Sequence, residues 1–355
     1  MKKVFKDILR LFVFGMILFV MFAFICRFFY PSNEFVEHAE MMINGYYERP
    51  ENSADVVVVG NSHVYRFWQD AYAWKELGIA SATWSTSNMP FVTTRGVTKE
   101  MMETQKPKLL VVEAGMFAKL TEGANDQIFL ILASMKHDKN RYSMINDYCN
   151  YLGIKGAERA KFYIPFIQFH DRWNDLNEGD FRQLKKSYLN SCYQQEWLET
   201  REQGNEFVDV QEDSKPLDPI CENALRDYLE YCKTLDCEVL FVYSPMWSGV
   251  GSGRKARYNY MADIIHEYGF DLVDYNDQAT YDTLGLDLTT DIQDDTHVNV
   301  KGSLKFTKVL GQYIKDRYDI PDRRDQAEYA DWTKTADEYY EMIDPYLNDT
   351  FDDEE

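Results

Sequence analysis

Three side chains of the types needed for nucleophilic catalysis stand in two distant stretches of the sequence. Ser62 lies in DVVVVGNSHVYRFW, and Asp294 and His297 lie in DIQDDTHVNVKGS. A serine hydroxyl needs a base to become a nucleophile at neutral pH, and the base needs an acceptor that orients its ring. Asp294 precedes His297 by three residues, so the carboxylate and the imidazole can meet within one loop turn. This pattern predicts acyl transfer by Ser62, His297 and Asp294.

Each of these residues and its neighbours also has a structural interpretation. Asn61 or Ser62 would serve as the N-cap of a following helix. His63 either points into the site or packs beside it, and Asp295 is the alternative partner of the histidine. The strand-end serine alone would favour capping, and it is the distant Asp-x-x-His pair that favours catalysis.

The elements that would position these residues alternate between strand and helix. DVVVVG is a short, continuous apolar run, which is typical of a parallel strand covered on both faces. The predicted strands are 55–60, 79–84, 108–115, 237–245 and 270–276, and the predicted helices are 68–78, 93–107, 222–236, 254–269 and 301–318. This alternation predicts an α/β fold with an open, mainly parallel sheet flanked by helices. Ligands of such sheets sit outside the carboxyl ends of the strands, where Ser62 would lie after a tight turn at Gly60.

The first thirty residues predict a membrane anchor. Residues 1–10 are basic, and residues 11–30 are apolar enough and long enough to cross a hydrocarbon core of about 30 Å. A cleaved signal peptide is the alternative, but its apolar core is usually only about 7–15 residues long, and no small-x-small cleavage site follows here. The basic residues before the anchor predict a single-pass protein of the cell membrane, with a cytoplasmic N-terminus and an extracytoplasmic body.

The rest of the chain divides into three predicted segments. Residues 31–54 are interpreted as a helical stalk, 55–320 as the α/β domain, and 321–355 as an acidic surface extension that frays at its end. Between about residues 116 and 217 the strand–helix alternation lapses, and the aromatic, polar sequence predicts a helical insertion.

Charge and cysteine content exclude several classes of function. The net charge is −21, from 59 acidic and 38 basic residues, so binding to a phosphate backbone is unfavourable and no nucleic-acid partner is expected. Five cysteines lie beyond the anchor, and this odd number allows one or two disulfides. No His–Cys cluster accompanies them, so no metal site is expected.

The two stretches that hold the candidate triad resemble two sequence blocks of the SGNH/GDSL hydrolase superfamily. Gly60-Asn61-Ser62-His63 is similar to the G-x-S-H form of the first block, and the run from Asp294 to Asn299, with Gly302, is similar to the last block and its H-x-N-x-x-G continuation. An anchor before the first block, and the strand QKPKLLVVEAG, resemble the membrane-anchored branch that acts on cell-envelope polymers, such as the DltD-like and alginate-acetylation-type proteins. The resemblance covers about residues 52–318 without the insertion, and it implies an SGNH/flavodoxin-like three-layer fold.

The middle blocks depart from the pattern of that superfamily. Its second block has a glycine whose N–H joins the oxyanion hole, but this chain has SATWSTSNMPF, in which Ser85 is nearest by alignment and Asn88 is a candidate amide donor. His63 is a further candidate contact with substrate. The third block usually carries an asparagine after its strand, where this chain has Glu113, which has a structural and a catalytic interpretation.

The resemblance implies a serine esterase or O-acyltransferase that needs no cofactor and carries an acyl group on Ser62. Its expected substrates are acyl esters of cell-envelope glycans or related polymers, and its expected partners are the membrane and a membrane acyltransferase. Because two blocks depart from the pattern, the alternative is a catalytically silent protein that binds glycan or serves as a scaffold in a polysaccharide-modifying complex.

Overall fold

A five-stranded sheet with every strand parallel forms the centre of the protein. This is a computed structural model, which describes residues 2–31, 33–120, 124–176, 180, 212–247 and 253–348. The strands follow the order β2-β1-β3-β4-β5. They are β1 Val56–Gly60, β2 Ser81–Ser85, β3 Leu109–Glu113, β4 Glu238–Tyr243 and β5 Asp271–Asp274. The predicted α/β fold with a parallel sheet is confirmed.

Helices precede, connect and follow the strands. Before the sheet come α1 Lys2–Phe29 and α2 Glu34–Glu48, and between β1 and β3 lie α3 Ser62–Phe67, α4 Asp70–Leu77 and α5 Thr94–Thr104. The described part of the insertion holds α6 Ala124–Leu132, α7 Lys139–Tyr151, α8 Gly156–Tyr163 and α9 Phe166–Phe169. The later helices are α10 Pro219–Cys232, α11 Arg254–Glu267, α12 Gln278–Leu284, α13 Val300–Arg317 and α14 Ala330–Leu347. Residues 181–211 of the predicted insertion lie outside the described residues.

Alternate valines of β1 pack into the two halves of the core. Val57 and Val59 lie in the larger apolar cluster, whereas Val56 and Val58 lie in the cluster under α3 and α13. A strand that is covered on both faces needs apolar residues at every position, and this is why the sequence shows a run without polar alternation.

The strand order places a crevice beside β1. β1 pairs with β2 on one side and with β3 on the other, so the chain leaves these neighbouring strands in opposite directions across the sheet. In open α/β sheets, ligands bind at this switch point, outside the carboxyl ends of the strands. The loops that follow β1 and β3 therefore lie where a site is expected.

The last residue of β1 is Gly60, because two neighbouring side chains lie too close to it for any larger residue. A Cβ on Gly60 would lie 2.6 Å from Val64 Cγ2 and 2.7 Å from Glu113 Cβ. Gly60 is the last residue of β1 and lacks the left-handed backbone found at other glycines such as Gly78, so close packing is a reason for glycine here that the sequence alone did not indicate. The close approach lets α3 begin directly above the sheet.

The segments on either side of the α/β domain pack against it. The inner face of α2, in the segment interpreted as a stalk, is buried, and the Tyr46 ring lies 5.2 Å from that of Trp84 in β2. The sequence predicts a surface extension for the C-terminal segment, but α14 contacts α4 and buries Trp332, Ala336, Tyr339 and Ile343. These four positions follow helical spacing, so one face of an acidic helix completes the core.

Helix α1 is long and apolar enough to span a membrane. Its apolar stretch, Lys3–Cys26, has a mean hydropathy of 2.7 and no buried residues. By length and composition alone it is a candidate membrane-spanning helix.

The cysteines described by the structure are free thiols. Cys26, Cys149, Cys221, Cys232 and Cys237 are all unpaired, and Cys192 lies outside the described residues. The one or two disulfides that the count allowed therefore do not form among these five residues.

Two glycines of α13 have different surroundings, so substitution of each by alanine should change the free energy of unfolding by different amounts. A Cβ on Gly302 would collide with the backbone carbonyl of Asp291, whereas a Cβ on Gly311 would meet the terminal methyl of Leu77. We expect Gly302→Ala to lower the free energy of unfolding by about 1–3 kcal/mol, because a backbone group cannot rotate away as a side chain can. Gly311→Ala should change it little, since the helical preference of alanine over glycine, about 1 kcal/mol, offsets the shift of Leu77.

Urea unfolding of both variants in detergent, followed by tryptophan fluorescence, measures this difference. Equal losses in the two variants would contradict the assignment of Gly302 as the point where α13 meets the backbone of the preceding loop.

Candidate active site

The structure brings the three predicted catalytic side chains into one hydrogen-bonded chain. His297 Nε2 lies 2.9 Å from Ser62 Oγ, and His297 Nδ1 lies 2.8 Å from Asp294 Oδ2. The carboxylate binds a protonated Nδ1, which leaves Nε2 as the acceptor that faces the serine hydroxyl. This is the arrangement in which an imidazole can take a proton from a serine.

The stretch before α13 folds back on itself and holds Asp294 and His297 in place. Asp294 Oδ1 accepts hydrogen bonds from the backbone N–H of Thr296 at 2.8 Å and of His297 at 3.0 Å. Ile292 and Val298 form an antiparallel bridge across this turn. Asn299 then caps α13 by accepting from the N–H of Gly302 at 3.2 Å. The turn around Asp294, the bridge across it and the cap of α13 therefore orient the side chain of His297.

Trp247, after β4, ties the same turn to the sheet. Its indole Nε1 donates to the backbone carbonyl of Asp294 at 3.2 Å, and its ring is buried beside Phe67 of α3. From the sequence, Trp247 is predicted only to form part of a loop wall, because it lies just past the end of a predicted strand.

Asn61, not Ser62, is the residue that caps α3. Asn61 Oδ1 accepts from the backbone N–H of His63 at 3.0 Å, which leaves the Ser62 hydroxyl for His297. Both residue types are good N-caps, so the sequence left this choice open. Ser62 is the first residue of α3, where backbone N–H groups have no partner within the helix.

Asp294, rather than Asp295, is the carboxylate that contacts His297. Burial on its own would raise the pKa of Asp294, but the hydrogen bond and charge of His297 and the hydrogen bonds from Thr296 outweigh it. They hold the pKa of Asp294 well below its usual range. This carboxylate therefore stays ionised and can stabilise an imidazolium throughout the neutral range.

His63 lies against both the triad and the core. Its ring is edge-to-face with that of His297, at a centroid distance of 5.2 Å, and with that of Phe67 at 5.8 Å. Burial and the positive charges of His297 and Arg254 lower the pKa of His63 to about 3, although Asp294 opposes them. His63 is thus a neutral neighbour of the base.

The two predicted oxyanion donors occupy different environments. Ser85 is the last residue of β2, paired with Gly60, and its hydroxyl is buried with no hydrogen-bond partner in the described part of the chain. Asn88 is exposed, has a left-handed backbone with φ of 46°, and lines a cavity of about 350 Å³ with Ser87. Of the two side chains, only that of Asn88 is exposed to solvent.

Glu113 occupies the carboxyl end of β3, next to Gly60. Its Oε1 accepts from the backbone N–H of Gly115 at 3.0 Å. Burial raises the pKa of Glu113 to about 7, opposed by hydrogen bonds from the backbone of Gly115, Met116 and Ser244. These contacts are all backbone groups, two just after β3 and one just after the neighbouring strand β4, so the structure favours the structural interpretation of this carboxylate.

Comparisons with known proteins add nothing to this geometry. No protein-family model matches the sequence, and no curated protein matches it at a significant level. The fold and the site together define an α/β protein with a Ser–His–Asp chain at the carboxyl edge of a parallel sheet.

The low pKa of His63 predicts a dependence of stability on pH. An unfolded histidine has a pKa of 6.5, so between this value and about 3 the folded protein binds fewer protons at His63 than the unfolded chain does. The stability from neutral His63 is present above pH 6.5 and is lost as the pH falls, by up to about 1.4 kcal/mol per pH unit. We expect His63→Gln to reduce the slope of the unfolding free energy against pH by the contribution of one proton.

Urea unfolding in detergent at several pH values between 7 and 3.5 measures this slope. His266→Gln, which removes an exposed histidine of α11, is the control and should follow the unsubstituted protein. A His63→Gln variant with an unchanged slope would show that His63 accepts a proton in the folded state.

Proposed function

We propose that this protein is a membrane-anchored serine esterase or O-acyltransferase of the SGNH type, which carries an acyl group on Ser62. The observation that supports this proposal most is the 2.9 Å distance between Ser62 Oγ and His297 Nε2, with Asp294 on the other ring nitrogen. A serine, an imidazole and an ionised carboxylate in this order are the groups that acyl transfer requires.

The mechanism begins when Ser62 Oγ attacks the carbonyl carbon of an acyl ester. As the new C–O bond forms, His297 Nε2 takes the hydroxyl proton, and Asp294 stabilises the resulting imidazolium. The backbone N–H of Ser62 and a donor from the loop after β2 would bind the oxyanion of the tetrahedral intermediate. When the C–O bond to the leaving alkoxide breaks, His297 returns the proton to it, and an acyl-enzyme remains.

The second half of the reaction decides between the two activities. Water that attacks the acyl-enzyme releases a carboxylic acid and makes the protein an esterase. A sugar or polyol hydroxyl that attacks in its place makes the protein an O-acyltransferase. In both cases His297 removes a proton from the acceptor and returns it to Ser62 Oγ. The Ser–His–Asp chain itself supplies this chemistry without a cofactor.

The proposed substrates are acyl esters of cell-envelope glycans or related polymers. This part of the proposal depends on the resemblance of the two sequence blocks and on the candidate membrane-spanning helix α1, which would hold the body at the envelope. A membrane acyltransferase is the proposed partner that would supply or receive the acyl group. Fold and triad alone do not select a substrate.

A fluorophosphonate that reacts with activated serines tests the nucleophile. With the full chain in detergent, we expect one adduct by intact mass, formed when Ser62 Oγ displaces fluoride from phosphorus. Ser62→Ala should abolish the adduct. Ser53→Ala should not, because the Ser53 hydroxyl lies in a turn and donates to the carbonyl of Pro50.

Two neighbouring aspartates provide a matched control for the base. Asp294→Asn should slow labelling by about 10²–10⁴-fold, because an amide cannot hold His297 in the required tautomer. Asp295→Asn should leave the rate unchanged. If folded protein forms no adduct at all, the result favours a catalytically silent protein that binds glycan or serves as a scaffold.

A further inference from the structure

A short segment of the insertion, residues 164–176, packs against the C-terminal end of α1. We call these residues the α9 segment, since they include α9 and the short helix His170–Asn174. The Phe166 ring lies edge-to-face with the rings of Phe22 and Phe29, at centroid distances of 5.5 Å and 5.2 Å. Both partners belong to α1, the candidate membrane-spanning helix.

Two further contacts fix the α9 segment to the end of α1. The Arg172 guanidinium donates to the backbone carbonyls of Phe29 and Tyr30, at 3.1 Å and 2.5 Å. Carbonyls at a helix C-terminus lack partners within the helix and carry partial negative charge, so an arginine there is favourable. The Phe169 ring lies 5.2 Å from that of Tyr30 and 5.0 Å from that of Phe129. The segment is thus held at a fixed height on α1.

The α9 segment exposes large apolar side chains. Outside α1, six large hydrophobic side chains of the described residues are exposed, and four of them lie in this one segment. They are Ile164 at 41%, Ile167 at 42%, Trp173 at 66% and Leu176 at 36% of their accessible surface. Exposed apolar residues are common when scattered, but such a concentration beside one helix marks a contact surface.

The contacts with α1 identify the surface that covers these side chains. Phe22 lies seven residues before Phe29, which corresponds to about 10 Å along the helix axis. If α1 crosses the membrane, Phe166 therefore lies at the depth of the hydrocarbon region, and its neighbours Ile164 and Ile167 lie near the same depth. Attraction to anionic lipid cannot hold the body there, because the chain carries a net charge of −21. Apolar contact is the remaining source of affinity.

We infer that the α9 segment lies in the lipid monolayer that faces the α/β body of the protein, with Ile164, Ile167 and Trp173 in contact with lipid. The inference depends on α1 spanning the membrane and is independent of the proposed acyl transfer. Trp173 suits the lipid–water interface, where tryptophan is enriched. The cavity lined by Asn88 is also lined by Tyr30 and Phe169, so this contact would hold one wall of the cavity at the membrane surface.

Fluorescence quenching of the full chain in phosphatidylcholine nanodiscs tests this placement. An environment-sensitive fluorophore is attached to Ile167→Cys and, separately, to Trp173→Cys, and labelled unsubstituted protein corrects for the native thiols. We expect doxyl-labelled phosphatidylcholine to quench both positions at least twofold more strongly than aqueous iodide does.

Lys334→Cys on α14 is the matched control. Its side chain is 75% exposed, and α14 contacts the end of α2 that is remote from α1, through Arg49 and Trp332. Iodide should quench this position, and doxyl lipid should not. Phe14→Cys in α1 is the positive control for the lipid quencher.

Three results would overturn the inference. Iodide quenching at positions 167 and 173 equal to that at 334 would place the α9 segment in water. Protection of 167 and 173 from both quenchers would show that protein, rather than lipid, covers them. A lack of doxyl quenching at position 14 would show that α1 does not span the membrane, on which the inference depends. Fluorophosphonate labelling of Ser62 in the same nanodiscs is read separately, so the two proposals can fail independently.

Discussion

The hydrogen bond between His297 and Ser62 joins two stretches of the chain separated by 235 residues, and the rest of the structure can be understood as what makes it possible. Ser62 stands directly after β1, and His297 stands directly before α13. Both halves of this contact need a rigid support, because an imidazole that is misplaced by about 1 Å can lose about 10²-fold in rate. The parallel sheet supplies that support, since it brings the end of β1 and the start of α13 to one edge.

The end of β1 and the start of α13 can hold Ser62 and His297 together because the backbone of each lies very close to neighbouring groups. Gly60 lets Val64 and Glu113 come within reach of the strand end, and Gly302 lets α13 approach the carbonyl of Asp291. Asn61 and Asn299 then cap the two helices that begin there. Two glycines and two asparagines, none of which needs to touch substrate, thus hold the serine and the histidine at hydrogen-bonding distance.

The sequence predicted the strands and the pairing of Asp294 with His297 because both have local signals. Continuous apolar runs such as that of β1 mark buried parallel strands, and the Asp-x-x-His spacing allows a turn in which Asp294 binds both Thr296 and His297. Contacts between distant elements had no such signal. The packing of α14 on α4, the reason for glycine at position 60 and the approach of Phe166 to Phe22 all depend on neighbours that only the folded chain defines. The choice between Asn61 and Ser62 as helix cap also needed the structure, since both residue types cap helices.

The central claim, that Ser62 carries an acyl group, can be tested by trapping of the acyl-enzyme. The full chain would be mixed with an activated acetyl ester, quenched in acid within seconds, and digested for mass spectrometry of the peptide that contains Ser62. We expect one acetyl group on Ser62 that accumulates and then turns over, and that is absent from Ser62→Ala. Folded protein with no acetyl group on Ser62, or with stable acetylation confined to other residues, would contradict it.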